Sequence, residues 1–148
     1  MKIEKFVLGP VGTNCYIVRN EDTMECFIVD MAACLPELVS HIKNAGLTAK
    51  AVLLTHGHFD HIMGLDRFLE EFPVQVYACG AEKELLENAQ MNSSAGMLGQ
   101  PYTFIGAQFV KDRDLLQIAG MNIQVIQTPG HTIGGCCYYI AEEKVLFS

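Results

Sequence analysis

Apolar and polar residues alternate in short runs over the first thirty positions, and turn formers separate the runs. Ile3–Leu8 alternates loosely and predicts a strand, which Gly9-Pro10-Val11-Gly12 ends. Cys15–Arg19 and Glu25–Val29 predict two more, joined through the polar turn Asn20-Glu21-Asp22. The chain therefore opens as an antiparallel meander, which stops at Asp30. The period then changes. Pro36–Asn44 predicts a helix, because Pro36 sits early, Leu38, Val39 and Ile42 share one face, and Gly46 lies just past the end. Ala51–Leu54 is apolar on both faces, as a strand covered on each side is. Ile62–Glu71 predicts a helix with Ile62, Leu65, Phe68 and Leu69 on one stripe. Val74–Ala78 follows as a strand and Ala81–Asn88 as a short helix. Residues 89–108 carry Asn92-Ser93-Ser94, Gly96, Gly99 and Pro101 without a clean period, and read as a loop with one strand near Phe104. Leu115–Ile118 with Asn122–Gln127, and Cys136–Ile140 with Val145–Phe147, predict two hairpins. Strands alternate with helices, yet several neighbouring strands are hairpin-linked. The expected class is therefore α/β, with mixed sheets and helices outside them.

At 148 residues the chain fits one domain, and 50% hydrophobic residues suffice to fill its core. The formal net charge is −7 and no run of basic residues interrupts it, which argues against a nucleic-acid partner. The N-terminus, Met1-Lys2-Ile3-Glu4-Lys5-Phe6, lacks the apolar core and cleavage site of a signal peptide. No stretch approaches the roughly 20 apolar residues that span a bilayer. These features predict a cytoplasmic protein with no membrane partner. The six cysteines, Cys15, Cys26, Cys34, Cys79, Cys136 and Cys137, form no C-x-x-C pair and no disulfide framework. In a reducing compartment they read as small buried hydrophobes.

One segment stands apart chemically. His56, His58, Asp60 and His61 fall within six residues, directly after the apolar run 51–54. A chance match to this spacing is expected on the order of a few times in ten thousand such sequences. While the chain stays extended, His56 and His58 point the same way. The turn into the next helix then aims Asp60 and His61 at a neighbouring point. His131 sits in Thr128-Pro129-Gly130-His131-Thr132, where proline fixes one backbone angle and glycine permits an unusual one. It supplies a third histidine for one metal. His41 lies among ordinary surface residues of the predicted helix and reads as a solvated side chain. Asp60 alone also has a plain reading, as the cap of the helix near Ile62.

His56-Gly57-His58-Phe59-Asp60-His61 and Thr128-Pro129-Gly130-His131-Thr132 resemble the two signature motifs of the metallo-β-lactamase superfamily. Asn14-Cys15-Tyr16 and Ile28-Val29-Asp30 also resemble it, and the branch is most similar to the glyoxalase II-like hydrolases. The resemblance runs through essentially the whole chain. It implies an αββα sandwich with metals at one edge of two sheets. His56, His58 and His131 would hold the first metal; Asp60 and His61 would hold the second, with Asp60 also orienting the nucleophile. Asp30 would brace the loop or simply end its strand. The expected metal is zinc, with iron and manganese as alternatives for the same donors. The chain departs from the family at Asp30-Met31-Ala32, where Asp-Pro-Gly is common, and at Met63, where a small residue is common. It also stops at Ser148, before the position of a metal-bridging aspartate and a last histidine. We therefore read it as a domain incomplete at its C-terminus, with exposed strand edges that favour a homo-oligomer. The implied activity is hydrolysis of a small-molecule thioester or ester by a metal-bound hydroxide. The alternatives are a mononuclear iron, persulfide dioxygenase-like oxidoreductase and a catalytically inactive metal-binding fragment.

Overall fold

Local side chains close the first turn: Asn20 Oδ1 accepts from the amides of Asp22 and Thr23, at 2.9 and 3.4 Å. The flanking strands then pair as the alternation predicts. In the computed structural model, which describes residues 1–148, β1 (Lys2–Leu8), β2 (Thr13–Arg19) and β3 (Glu25–Val29) run antiparallel in that order. β4 (Thr48–Leu53), β5 (Gln75–Cys79) and β6 (Gln108–Val110) add to β3 in parallel, one after another, to complete a mixed sheet of six strands. β7 (Leu115–Ile118), β8 (Met121–Gln127), β9 (Cys136–Ile140) and β10 (Val145–Phe147) form a second, antiparallel sheet in the order β10-β9-β8-β7.

The helices are α1 (Pro36–Asn44), α2 (Phe59–Ile62), α3 (Leu65–Glu71), α4 (Lys83–Glu87) and α5 (Ser94–Met97). Crossovers from β3 to β6 all step the same way across the sheet, so right-handed connection places their helices on one face. Leu38, Val39, Ile42, Ile62, Leu65, Phe68 and Leu86 pack there against Cys15, Ile17, Cys26, Ile28, Val52 and Val76. Alternate residues of the same strands point the other way. Val18, Phe27, Val29, Ala51 and Leu53 meet Ile123, Val125, Tyr138, Ile140 and Phe147 of the second sheet. This division explains why residues 51–54 are apolar on both faces. Three of the four layers that the resemblance implies lie within residues 1–148. The outer face of the second sheet carries the cross-strand row Leu146, Tyr139, Gln124 and Leu115, with Leu146 and Leu115 exposed.

Several elements differ from expectation for local reasons. The single helix expected over Ile62–Glu71 is two, α2 and α3, broken at Met63-Gly64. Gly64 is pressed against the preceding loop: its amide donates to Met31 O at 3.0 Å, and a Cβ there would stand 2.7 Å from Ala33 Cα. The helix expected at Ala81–Asn88 starts as a 3-10 turn over Gly80–Glu82 before α4. No strand forms at Phe104. Its buried ring joins the helix-side core and its amide donates to Leu86 O at 2.9 Å, while the parallel strand begins later, where Gln108 meets Tyr77. His41 is not freely solvated: its ring lies edge-on to Phe6 at 5.4 Å, and Nε2 is 3.5 Å from Glu4 Oε1, because β1 leans over α1. No helix is long and apolar enough to cross a membrane.

All six cysteines are free and buried. Burial pushes the Cys26 and Cys136 thiols up to about 12, so neither forms thiolate at neutral pH. In the native chain at pH 8, a thiol-specific reagent should therefore leave Cys26 and Cys136 unmodified, whereas all six react once guanidinium unfolds the protein. Mass-mapped modification of either residue within minutes in the native state would contradict this packing.

Candidate metal centre

Asp30, at the end of β3, organises the site. It is buried, and its backbone adopts the left-handed region at φ 58, which aspartate tolerates better than a β-branched residue. Its amide donates to Leu53 O at 3.0 Å, which ties the end of β3 to the end of β4. Oδ1 accepts from the Thr55 amide at 2.8 Å, and Oδ2 accepts from the Thr55 hydroxyl at 2.7 Å. A hydroxyl has one proton, so Thr55 Oγ1 can meet His56 Nδ1, 3.2 Å away, only as an acceptor. His56 therefore carries its proton on Nδ1, and Nε2 keeps a free lone pair. Asp30 Oδ2 also lies 2.9 Å from His61 Nδ1, which fixes that ring with Nε2 turned to Asp60 Oδ2 at 3.4 Å. Asp30 is thus a brace for two histidines, more than the end of a strand.

Two further contacts set the loop that follows. The Phe59 amide donates to Asn92 O at 3.0 Å and starts α2, with His58 still extended at φ −65, ψ 150. Asp60 is held from β2, whose Thr13 hydroxyl donates to Asp60 Oδ2 at 2.6 Å. His131 arrives from the β8–β9 turn, where the Cys136 amide donates to Thr55 O at 2.9 Å and the Thr128 amide to Gly135 O at 2.7 Å. Buried Glu82 touches both loops. Its Oε2 accepts from the Gly57 amide and its Oε1 from the Gly134 amide, each at 2.7 Å.

These supports bring His56, His58 and His131 together. One ring nitrogen from each lies within 4.8 Å of the others, and His58 Nδ1 is 3.0 Å from His131 Nε2. Tetrahedral ligands at the usual Zn–N length stand about 3.3 Å apart, so the spacing fits a small divalent cation. The donor set fits as well, since burial and the neighbouring His61, His58 and His131 lower the His56 pKa to about 3. Burial and His131 lower that of His58. His61 moves the opposite way: burial opposes its charge, but the hydrogen bond and charge of Asp30 outweigh burial and raise its pKa. His56 and His58 therefore favour the neutral imidazoles that a metal requires. Asp60 and His61 lie beside it, the His61 ring 4.0 Å from that of His56.

A hollow of about 370 Å³ opens over the cluster and is walled by Val11, Phe59, Ser93 and Met97. A neighbouring one of about 350 Å³ runs from His58 and His131 to Leu85, Met91 and Ile133. Residues 89–108, which carry no clear sequence signal, thus supply Met91, Ser93 and Met97 to the rim. Sequence reading also missed Thr13, Thr55 and Glu82. Thr55 could have been suspected, as the polar residue that ends an apolar strand just before the histidines; Glu82 had no such signal.

A family model described as the metallo-beta-lactamase superfamily matches residues 8–148. The probable metallo-hydrolase YqgX of Bacillus subtilis is 34% identical over 149 residues, which cover 100% of this chain and 70% of that protein. The hydroxyacylglutathione hydrolase GloC of Haemophilus influenzae is 27% identical over 151 residues, covering 100% of this chain and 70% of the relative. Among solved structures, BLEG-1, a B3 metallo-beta-lactamase, superposes with a TM-score of 0.90 at 36% identity, over 99% of this chain and 71% of its own. The chain thus spans about 70% of the length of these relatives.

The brace predicts a tautomer. In the metal-free chain, nitrogen NMR should find His56 protonated on Nδ1 alone and still neutral at pH 5. Asp30→Asn places an amide donor where Oδ2 accepts, so it should shift the His56 proton to Nε2 and cost about 1–3 kcal/mol of folding free energy in denaturant melts. An unchanged tautomer in a folded Asp30→Asn protein would refute the Asp30–Thr55–His56 relay.

Proposed function

The chain belongs to the metallo-beta-lactamase superfamily, a family of metal-dependent hydrolases, and on that premise we propose that it hydrolyses a small-molecule thioester or ester with zinc held by His56, His58 and His131. The observation that carries this reading is the convergence of three ring nitrogens within 4.8 Å at a hollow open to solvent. The relative GloC, a hydroxyacylglutathione hydrolase, supports a thioester, and BLEG-1, a B3 metallo-beta-lactamase, makes a β-lactam the rival substrate. The six free, buried thiols suit a cytoplasmic protein in a reducing compartment.

Zinc bound there supplies Lewis acidity and an activated water at neutral pH. The remaining tasks fall to the chain's own groups. Asp60 is immobilised by Thr13 and faces the hollow, where its carboxylate accepts a hydrogen bond from the attacking water and orients it. Asp60 and His61, beside the trio, would be donors for a second metal. His56 keeps its Nε2 aimed inward because Thr55 holds its Nδ1 proton, and Asp30 lies 2.9 Å from His61 Nδ1 on the side away from Asp60. Val11, Phe59 and Met97 line an apolar wall against which an acyl chain loses water.

Elemental analysis of the purified protein should give about one zinc per chain bound tightly. The metal-loaded protein should cleave a hydroxyacyl-glutathione thioester with a higher kcat/KM than a chromogenic β-lactam. His58→Ala should lower that kcat/KM by at least about a thousandfold, roughly 4 kcal/mol of transition-state stabilisation, while His41→Ala leaves it unchanged. Turnover retained in His58→Ala would sink the assignment. Iron content with oxygen uptake in place of hydrolysis would replace it with an oxidoreductase.

A further inference from the structure

We infer that Glu82 is a positioning residue for the histidine trio: its buried carboxylate clasps the loop of His56 and His58 to the loop of His131, and so sets the distance between His58 Nδ1 and His131 Nε2. This rests on the reading of the trio as a metal site. Glu82 is 1% exposed and ends the 3-10 turn after β5, outside both histidine motifs. Its two oxygens each hold one amide, Gly57 between His56 and His58, and Gly134 three residues after His131. One planar group therefore joins two loops whose facing histidines are 73 residues apart in sequence. Both contacts measure 2.7 Å, at the short end of the range for an amide donor and an oxygen acceptor.

Steric fit tells the same story from the opposite side. A Cβ on Gly134 would stand 2.6 Å from the Glu82 amide nitrogen and 2.8 Å from the Ala81 carbonyl carbon. A Cβ on Gly57 would stand 3.1 Å from the Leu86 side chain and 3.3 Å from Glu82 Oε2. Both loops press their backbone onto the Glu82 turn, and glycine at each permits that approach. A glutamate here differs from a surface acid: it lies on a third element and fixes two metal-bearing loops against each other, while its own side chain donates nothing to the metal.

The test measures zinc affinity by competition with a chromogenic chelator, and amide hydrogen exchange at Gly57 and Gly134 in the metal-free chain. Glu82→Ala should weaken zinc binding about 10–100-fold, as loss of a group that orients ligands typically does. Glu82→Gln, which keeps the length and one acceptor oxygen, should weaken it less, and both variants should speed exchange at the two amides. Leu38→Ala, a cavity in α1 outside the Glu82 and histidine loops, should lower the melting temperature without changing zinc affinity. Zinc affinity within twofold of wild type in the folded Glu82 variants would overturn the inference, as would an equal loss in Leu38→Ala. Should Glu82→Ala fail to fold, Glu82→Gln decides by the same criteria. A wild-type chain that binds no zinc would overturn the metal reading instead, and amide exchange at Gly57 and Gly134 would still decide the clasp.

Discussion

The site depends on one buried carboxylate. Asp30 ends β3 in a left-handed conformation, and both of its oxygens are taken by groups from the loop after β4. A carboxylate removed from water is costly unless its hydrogen-bonding capacity is met, and here the Thr55 amide and hydroxyl meet it, with His61 Nδ1 2.9 Å from Oδ2. The same bonds choose the tautomer of His56, and Asp30 lies against the His61 ring. Stability and site chemistry therefore share one set of contacts: whatever releases Asp30 loosens the junction of β3 and β4 and frees two rings at once. The expected departure from Asp-Pro-Gly, at Asp30-Met31-Ala32, leaves this function intact. The Asp30 side chain does the bracing, and Met31 and Ala32 pack into the core.

The fold determines why distant residues meet here. Asp30 follows β3, His56 to His61 follow β4, and Glu82 follows β5, so all lie outside the carboxyl ends of three adjacent parallel strands. Ligand-bearing loops gather at that edge in open α/β sheets. The second sheet then brings its β8–β9 turn over the same edge, through the Cys136 amide on Thr55 O and Tyr138 OH on Leu54 O at 2.8 Å. Packing between the sheets thus carries His131 to the histidines of the first.

The legible parts of this arrangement were those with a local signature. Glu25–Val29 and Pro36–Asn44 were read to the residue, because alternation, an early proline and a trailing glycine all act within a few positions. His56 and His58 could be grouped because histidine spacing on an extended stretch is also local, and His131 because of its Pro-Gly turn; the structure brings all three together. Illegible were the features fixed by tertiary contact. The break between α2 and α3 comes from the Ala33–Cys34 backbone lying on Gly64, and the displaced strand after Phe104 comes from pairing with Tyr77. His41 looked solvated because nothing in its own helix announces Phe6 and Glu4 of β1. Thr13 and Glu82 were invisible for the same reason: each acts on a residue more than twenty positions away.

Electrostatics links these layers. Asp30, Asp60 and Glu82 gather three carboxylates around a cluster of four imidazoles, in a protein that is already acidic overall. Two of those imidazoles, His56 and His58, resist protonation because burial and one another's charge oppose it. Those two rings therefore keep lone pairs available, while the three acidic side chains lie around them. Neutral ligand nitrogens ringed by acidic side chains suit a divalent cation. The carboxylates achieve this without occupying the trio, because Thr55, Thr13 and two glycine amides hold them in place around its margin.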